Sequence, residues 1–153
     1  MLSPLPGMTI HQLSTDDQQE AFTYWLAKQR SVAIDTETAG VEYWDKTRLV
    51  QIGSSSDVWV MAAEDAAEPI RQCFAGHKKL VMHNAPFDIP HLVRLVSQEN
   101  PETVKRVMRN VDDTMVIQMQ TQTCKYFASH ATATKQLKRT NAEEYPSCPN
   151  VDS

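Results

Sequence analysis

The chain has 153 residues, of which 41% are hydrophobic and 22% charged, with a formal net charge of -4. That length suits one domain with a sizeable core and leaves little room for a second, and no run nears the roughly 18 apolar residues of a membrane helix. The acidic balance excludes a broadly basic nucleic-acid binder, so any such contact needs a local patch or bound cations.

Strands alternate with helices along the chain, without internal repeats or low-complexity tracts, which predicts an α/β fold. The opening MLSPLPGMTI has no basic region and no long apolar segment, so no secretory leader is expected. Residues 8–13 suit a short strand. Thr15 with Gln18 three places later forms a capping box, and Ala21, Phe22, Trp25 and Leu26 follow at helical spacing. SVAID, RLVQIGSS and DVWVMA read as three adjacent strands, with turn-forming Ser and Asp between the last two, which implies antiparallel pairing. Pro69 opens a short helix through Phe74, and KKLVMHN is a further apolar strand. APFDIPHLVRLVSQ reads as a helix in which Pro86 suits the first turn, while Pro90 kinks or tightens it. Asn100-Pro101 reads as a break. NVDDTMVIQMQTQT reads as a strand end entering a helix, with Met115, Val116 and Met119 forming a stripe assigned to the core. From Asn141 the chain is polar and turn-forming, a frayed tail over 141–153. Cys73, Cys124 and Cys148 lack metal-ligand spacing and are expected as reduced thiols in a cytoplasm.

Two stretches carry chemistry. In SVAIDTETAG (31–40) an apolar strand ends in Asp35 and Glu37, which project from the same face because strand side chains alternate. At about 4 Å and an effective dielectric near 20 such a pair repels by about 4 kcal/mol, which a hard divalent cation would more than offset. A solvated strand end is the plainer alternative for the tripeptide by itself. In VMHNAPFDIPHL a second apolar strand runs into His83 and Asn84, then into a helix bearing Phe87 and Asp88. Asp88 is a third carboxylate able to complete a cluster, although Asn84 as an N-cap and Asp88 as a helix-dipole partner need no such role.

Taken in order, VAIDTETAG, RLVQIGSSSDVWV, LVMHNAPFDIPHL and VDDTMVIQMQ resemble the 3'-5' exonucleases of the DEDD superfamily, as found in family A DNA polymerases and ribonuclease D. The likeness spans residues 31–124 within an expected domain of residues 1–140. It implies a ribonuclease H-like mixed sheet with an antiparallel hairpin, flanked by helices. It further implies two divalent cations, Mg²⁺ or Mn²⁺: Asp35 bridges them, Glu37 ligates the one on the nucleophile side and Asp88 helps hold the other. The reaction implied is hydrolysis of nucleoside 5'-monophosphates from the 3' end of single-stranded DNA, with RNA as the alternative substrate. Thr36 then offers backbone contacts to the terminal nucleotide, Val41 an apolar wedge, and Asn84 and Phe87 position strand and aspartate. Core packing serves equally for Val41 and better for Phe87. Asp113, matching the D-T-M aspartate, caps the following helix or orients the site from its edge. His83 and His91 receive no role.

The family's third motif, Y-x-x-x-D or H-x-x-x-x-D, has no counterpart: His130 lies four places after Tyr126, Pro149 four after Tyr145, and Asp152 falls in the proline-rich tail. The expectation is a domain that stops before its last helix, with low activity. A split domain completed by a DNA polymerase chain, a degenerate protein, and a partner-supplied ligand all fit. So does a non-catalytic module binding single-stranded nucleic acid or a polymerase, or a ribonuclease D-like RNA exonuclease. The expected setting is bacterial or phage-infected cytoplasm, away from membranes.

Overall fold

The computed structural model describes residues 7–75, 78–96 and 101–121. Strand β1 (Thr9–Leu13) leads into α1 (Asp16–Ala27). The start of α1 is the capping box that Thr15 and Gln18 predict: the Gln18 N–H donates to Thr15 Oγ1 at 3.4 Å, while Gln18 Oε1 accepts from the Thr15 N–H at 3.1 Å. There follow β2 (Ser31–Thr38), β3 (Thr47–Gly53), β4 (Asp57–Ala62), a 3₁₀ turn (Ala63–Asp65), α2 (Ala67–Ala75), β5 (Lys79–Met82) and α3 (Ala85–Leu95). After these come α4 (Pro101–Arg109), β6 (Val111–Asp113) and helix α5 over 114–121. The chain divides into two compact units at Val116/Ile117. The first holds the sheet and helices α1 to α4; the described part of the second is the helical stretch 117–121.

The six strands form one mixed sheet in the order β1-β4-β3-β2-β5-β6. β2, β3 and β4 pair antiparallel as their adjacency in the chain implies, and the other neighbours are parallel. Alternation sets the faces. Val32, Ile34 and Thr36 of β2 are buried together with Val50, Ile52, Trp59, Met61, Leu80 and Met82, while Ala33, Asp35 and Glu37 are exposed. Phe22 and Leu26 of α1, Ile70 and Phe74 of α2, and Ile89 and Leu92 of α3 join the buried cluster. Each large side chain so buried contributes about 1.5–3 kcal/mol.

Two expectations are corrected. Asn100-Pro101 is not simply a break, because Pro101 opens α4: proline's missing N–H costs nothing at a first helical position. Val116 and Met119 are exposed and Met115 is half-buried, so the stripe on α5 is not core. α3 runs through Pro90 to Leu95, as the helical reading of this segment expects. Cys73 is a buried free thiol pushed up to about 12, chiefly by burial. The tail 141–153, Cys124, Cys148 and every residue of the third-motif search lie outside the described residues.

Candidate active site

Strand β2 and the start of α3 meet at Thr36 and Asp88. Thr36, between Asp35 and Glu37, turns its side chain to the buried face and donates from Oγ1 to Asp88 Oδ1 at 2.6 Å. Asp88 is 2% exposed. Burial is the largest influence on its carboxyl and pushes it above the usual carboxylate range, helped by the negative charges of Asp35 and Asp113. The Thr36 hydroxyl and backbone N–H oppose that rise. Asp35 and Glu37 stand in solvent on the opposite face, opposite Gln51 and Leu49 of β3, with Gln51 Nε2 donating to Glu37 Oε1 at 3.4 Å. Water screens the Asp35–Glu37 pair, so the charge most in need of compensation is the buried Asp88.

The start of α3 is built by Asp113. Its Oδ1 accepts the backbone N–H of Asn84 at 3.1 Å and its Oδ2 that of Ala85 at 2.9 Å. The same Oδ1 accepts from the Met115 N–H at 2.9 Å, so the N-cap expected for α5 is present and also clamps α3. Desolvation works to raise this carboxyl, yet the N–H groups of Asn84, Met115, Ala85 and Val116 together hold it below the usual carboxylate range. Asn84 takes the N-cap position of α3 with φ 67° and ψ 51°, the left-handed region, and its side chain makes no capping bond. Capping therefore does not occupy the Asn84 side chain. Phe87 is half-buried against His91, ring centroids 5.0 Å apart. His91 is fully buried with Nδ1 3.4 Å from Thr47 Oγ1, and His83 Nδ1 lies 3.0 Å from Thr114 Oγ1.

Val41 is 84% exposed in the loop after β2, which removes core packing as its explanation. It belongs to a group that motif reading passes over: Tyr43 and Trp44 are exposed beside it, and Arg94 of α3 holds the loop. Two aromatics inside a short charged loop are the signal that was legible in the sequence.

A family model described as 3'-5' exonuclease matches residues 10–141, beyond the span 31–124 that the motifs cover. The chain belongs to this family. The exonuclease domain is 32% identical over 89 residues to the DNA polymerase of Mycobacterium phage L5, a match covering 54% of this chain and 15% of that protein. The chain thus spans about 15% of the length of this curated relative. Escherichia coli RNase D is a structural neighbour at 15% identity and TM-score 0.51, covering 59% of this chain and 25% of that one. Trypanosoma brucei RNase D in complex with RNA U12 is another, at 13% identity and TM-score 0.53, covering 70% and 38%. At such identities the likeness shows the fold, the mixed α/β sheet of ribonuclease H-like exonucleases.

The exonucleases of this family work with divalent metal ions. The donors here suit such ions in kind: hard carboxylate oxygens from Asp35, Glu37 and Asp88, the last carrying a charge its surroundings disfavour. Among the described residues no three His, Cys, Asp or Glu side chains converge closely enough to hold a metal ion. Magnesium is commonly held by one or two carboxylates plus water and substrate phosphate, a donor count that this arrangement can meet.

Proposed function

We propose that this exonuclease domain, residues 1–140, removes nucleoside 5'-monophosphates from the 3' end of single-stranded DNA, in association with a DNA polymerase of the phage type. The observation that carries the reading is the Thr36–Asp88 bond, which ties the helix of the second motif to the strand of the first between its two carboxylates. Asp35, Glu37 and Asp88 are the carboxylates that would hold Mg²⁺ or Mn²⁺, with water and substrate phosphate completing the ligand set. Two such ions, when bound, supply charge stabilisation for in-line phosphodiester hydrolysis. The protein's own contribution is placement. Thr36 fixes Asp88 and presents its backbone to the terminal nucleotide, Asn84 directs a side chain free of capping duty toward the strand, Phe87 braces Asp88 from its own helix, and Val41 wedges against the terminal base. The setting is the cytoplasm of a phage-infected bacterium; no described helix is long and apolar enough to cross a membrane.

The test is Mn²⁺-dependent shortening of a 5'-labelled single-stranded DNA oligonucleotide by the purified chain, with a chelator and Asp35→Ala as controls. A slow ladder from the 3' end, lost in both controls, is expected. No shortening by a folded protein would overturn the reading in favour of a non-catalytic module that binds nucleic acid or a polymerase. The RNA-bound ribonuclease D neighbour motivates an RNA oligonucleotide in parallel. Faster shortening of RNA would make the domain a ribonuclease D-like enzyme.

A further inference from the structure

The loop joining β2 to β3 leaves the sheet directly after Glu37 and Thr38, at the end where β2 carries its carboxylates. It is short, braced from within and apolar at its tip. The Asp45 carboxylate accepts the Glu42 N–H at 2.8 Å, the Asp45 N–H donates to the Glu42 carbonyl at 3.0 Å, and the Ala39 N–H donates to Lys46 at 2.9 Å. The Thr38 hydroxyl also donates to the Gly40 carbonyl. A Cβ on Gly40 would meet the Asp45 carboxylate, so a larger residue there would push that side chain from its place at the Glu42 N–H. From α3, Arg94 donates to the Tyr43 carbonyl at 2.9 Å and sets its guanidinium 4.9 Å from the Tyr43 ring centroid.

On this fixed scaffold Tyr43 is 59% exposed and Trp44 73% exposed. Slack does not explain that exposure, because hydrogen bonds from both ends of the loop and from the helix of Asp88 hold the backbone. Large flat rings kept in water, one already backed by a cation, suit a partner that presents flat faces of its own. Lys46 and Arg48, exposed at the base of the loop, add positive charge for a polyanion. Unpaired nucleobases on a phosphate backbone combine both properties.

We propose that Tyr43 and Trp44 form a stacking platform for unpaired bases of the strand whose 3' end reaches the carboxylates. This rests on the exonuclease reading and adds to it a binding surface outside the carboxylate group. The platform sets strand affinity and the register in which the 3' end arrives, and leaves the carboxylates to the chemistry.

Of the three tryptophans, Trp59 is buried and Trp25 packs against the core, so Trp44 is the one a ligand in solution reaches. Short oligothymidylate is titrated into the full chain in excess chelator, where nothing is cut, and tryptophan emission is followed. Quenching is expected in the wild type; affinities of wild type and variants are compared by the anisotropy of the same oligonucleotide carrying a 5' fluorescein, and fall at least about fivefold in Trp44→Ala while being largely kept in Trp44→Phe. Abasic sites in the oligonucleotide should abolish the difference between Trp44→Ala and wild type. Equal affinities for wild type and Trp44→Ala, or quenching that follows protein concentration rather than oligonucleotide, would overturn the platform; the second result would assign the loop to contact between copies of the chain. Cleavage is scored separately with Mn²⁺. Binding through Trp44 without shortening keeps the platform and refutes the exonuclease, whereas shortening without dependence on Trp44 does the reverse.

Discussion

Replacing Thr36 by valine probes the join between strand and helix with almost no change of volume. The hydroxyl that donates to Asp88 Oδ1 at 2.6 Å disappears, while the methyl groups still fill the buried position. A hydrogen bond to a charged group is worth about 1.5–3 kcal/mol, and Asp88 is buried enough for the loss to be felt in full. The expected destabilisation is about 2 kcal/mol, a fall in Tm of roughly 4–8 °C for a chain of this size. Its pH dependence follows from the direction of the Asp88 shift. Burial raises the folded carboxyl above its unfolded value near 3.9, so at neutral pH folding holds an ionised group in a site that disfavours it. The Thr36 hydroxyl offsets that cost. The penalty of Thr36→Val is therefore full above the folded pKa and shrinks as pH falls through it, when Asp88 takes up a proton. Urea unfolding followed by circular dichroism, at neutral and acid pH, measures this for wild type, Thr36→Val, Asp88→Asn and the double variant. A loss below about 0.5 kcal/mol at neutral pH, or an equal loss in the Asp88→Asn background, would refute the argument.

Asp113→Asn leaves one acceptor oxygen for several backbone N–H groups. It should lower Tm and speed hydrogen exchange at Asn84, Ala85 and Met115 together, whereas a cap serving α5 alone would loosen Met115 only. Because those bonds hold the Asp113 carboxyl low, its contribution is present above the unfolded pKa and fades as acid takes the pH through the folded one. Cys73, with its thiol at about 12, should resist iodoacetamide in the native protein at mildly alkaline pH and react in urea, as read by mass spectrometry of its peptide; native labelling would contradict its burial.

Much of this architecture is legible in local chemistry. The Thr15 and Gln18 box, the apolar alternation of β2 and the short turns of the hairpin each name their own structure. What escapes depends on partners distant in sequence. Asp113 reads as the cap of the helix after it, and nothing near it signals that it also receives Asn84 and Ala85, 29 and 28 residues earlier. Thr36 reads as a spacer between two carboxylates until α3 folds beneath it. α4 is hidden because Asn-Pro speaks of a break and of a helix start in the same two letters. Val41 is apolar, and only the geometry of its loop turns it outward.

The alternation of β2 makes its residues separable by parity. Positions 32, 34 and 36 belong to the core, while 33, 35 and 37 touch it little. Substitutions at the odd positions should leave the fold almost untouched, so Asp35→Ala and Glu37→Ala are clean probes whose effects can be assigned to chemistry rather than to unfolding. A single-residue insertion before Ile34 would reverse this. It would drive two carboxylates into the interior and Thr36 out to solvent, so a length change in this strand is far more damaging than any one substitution on its open face.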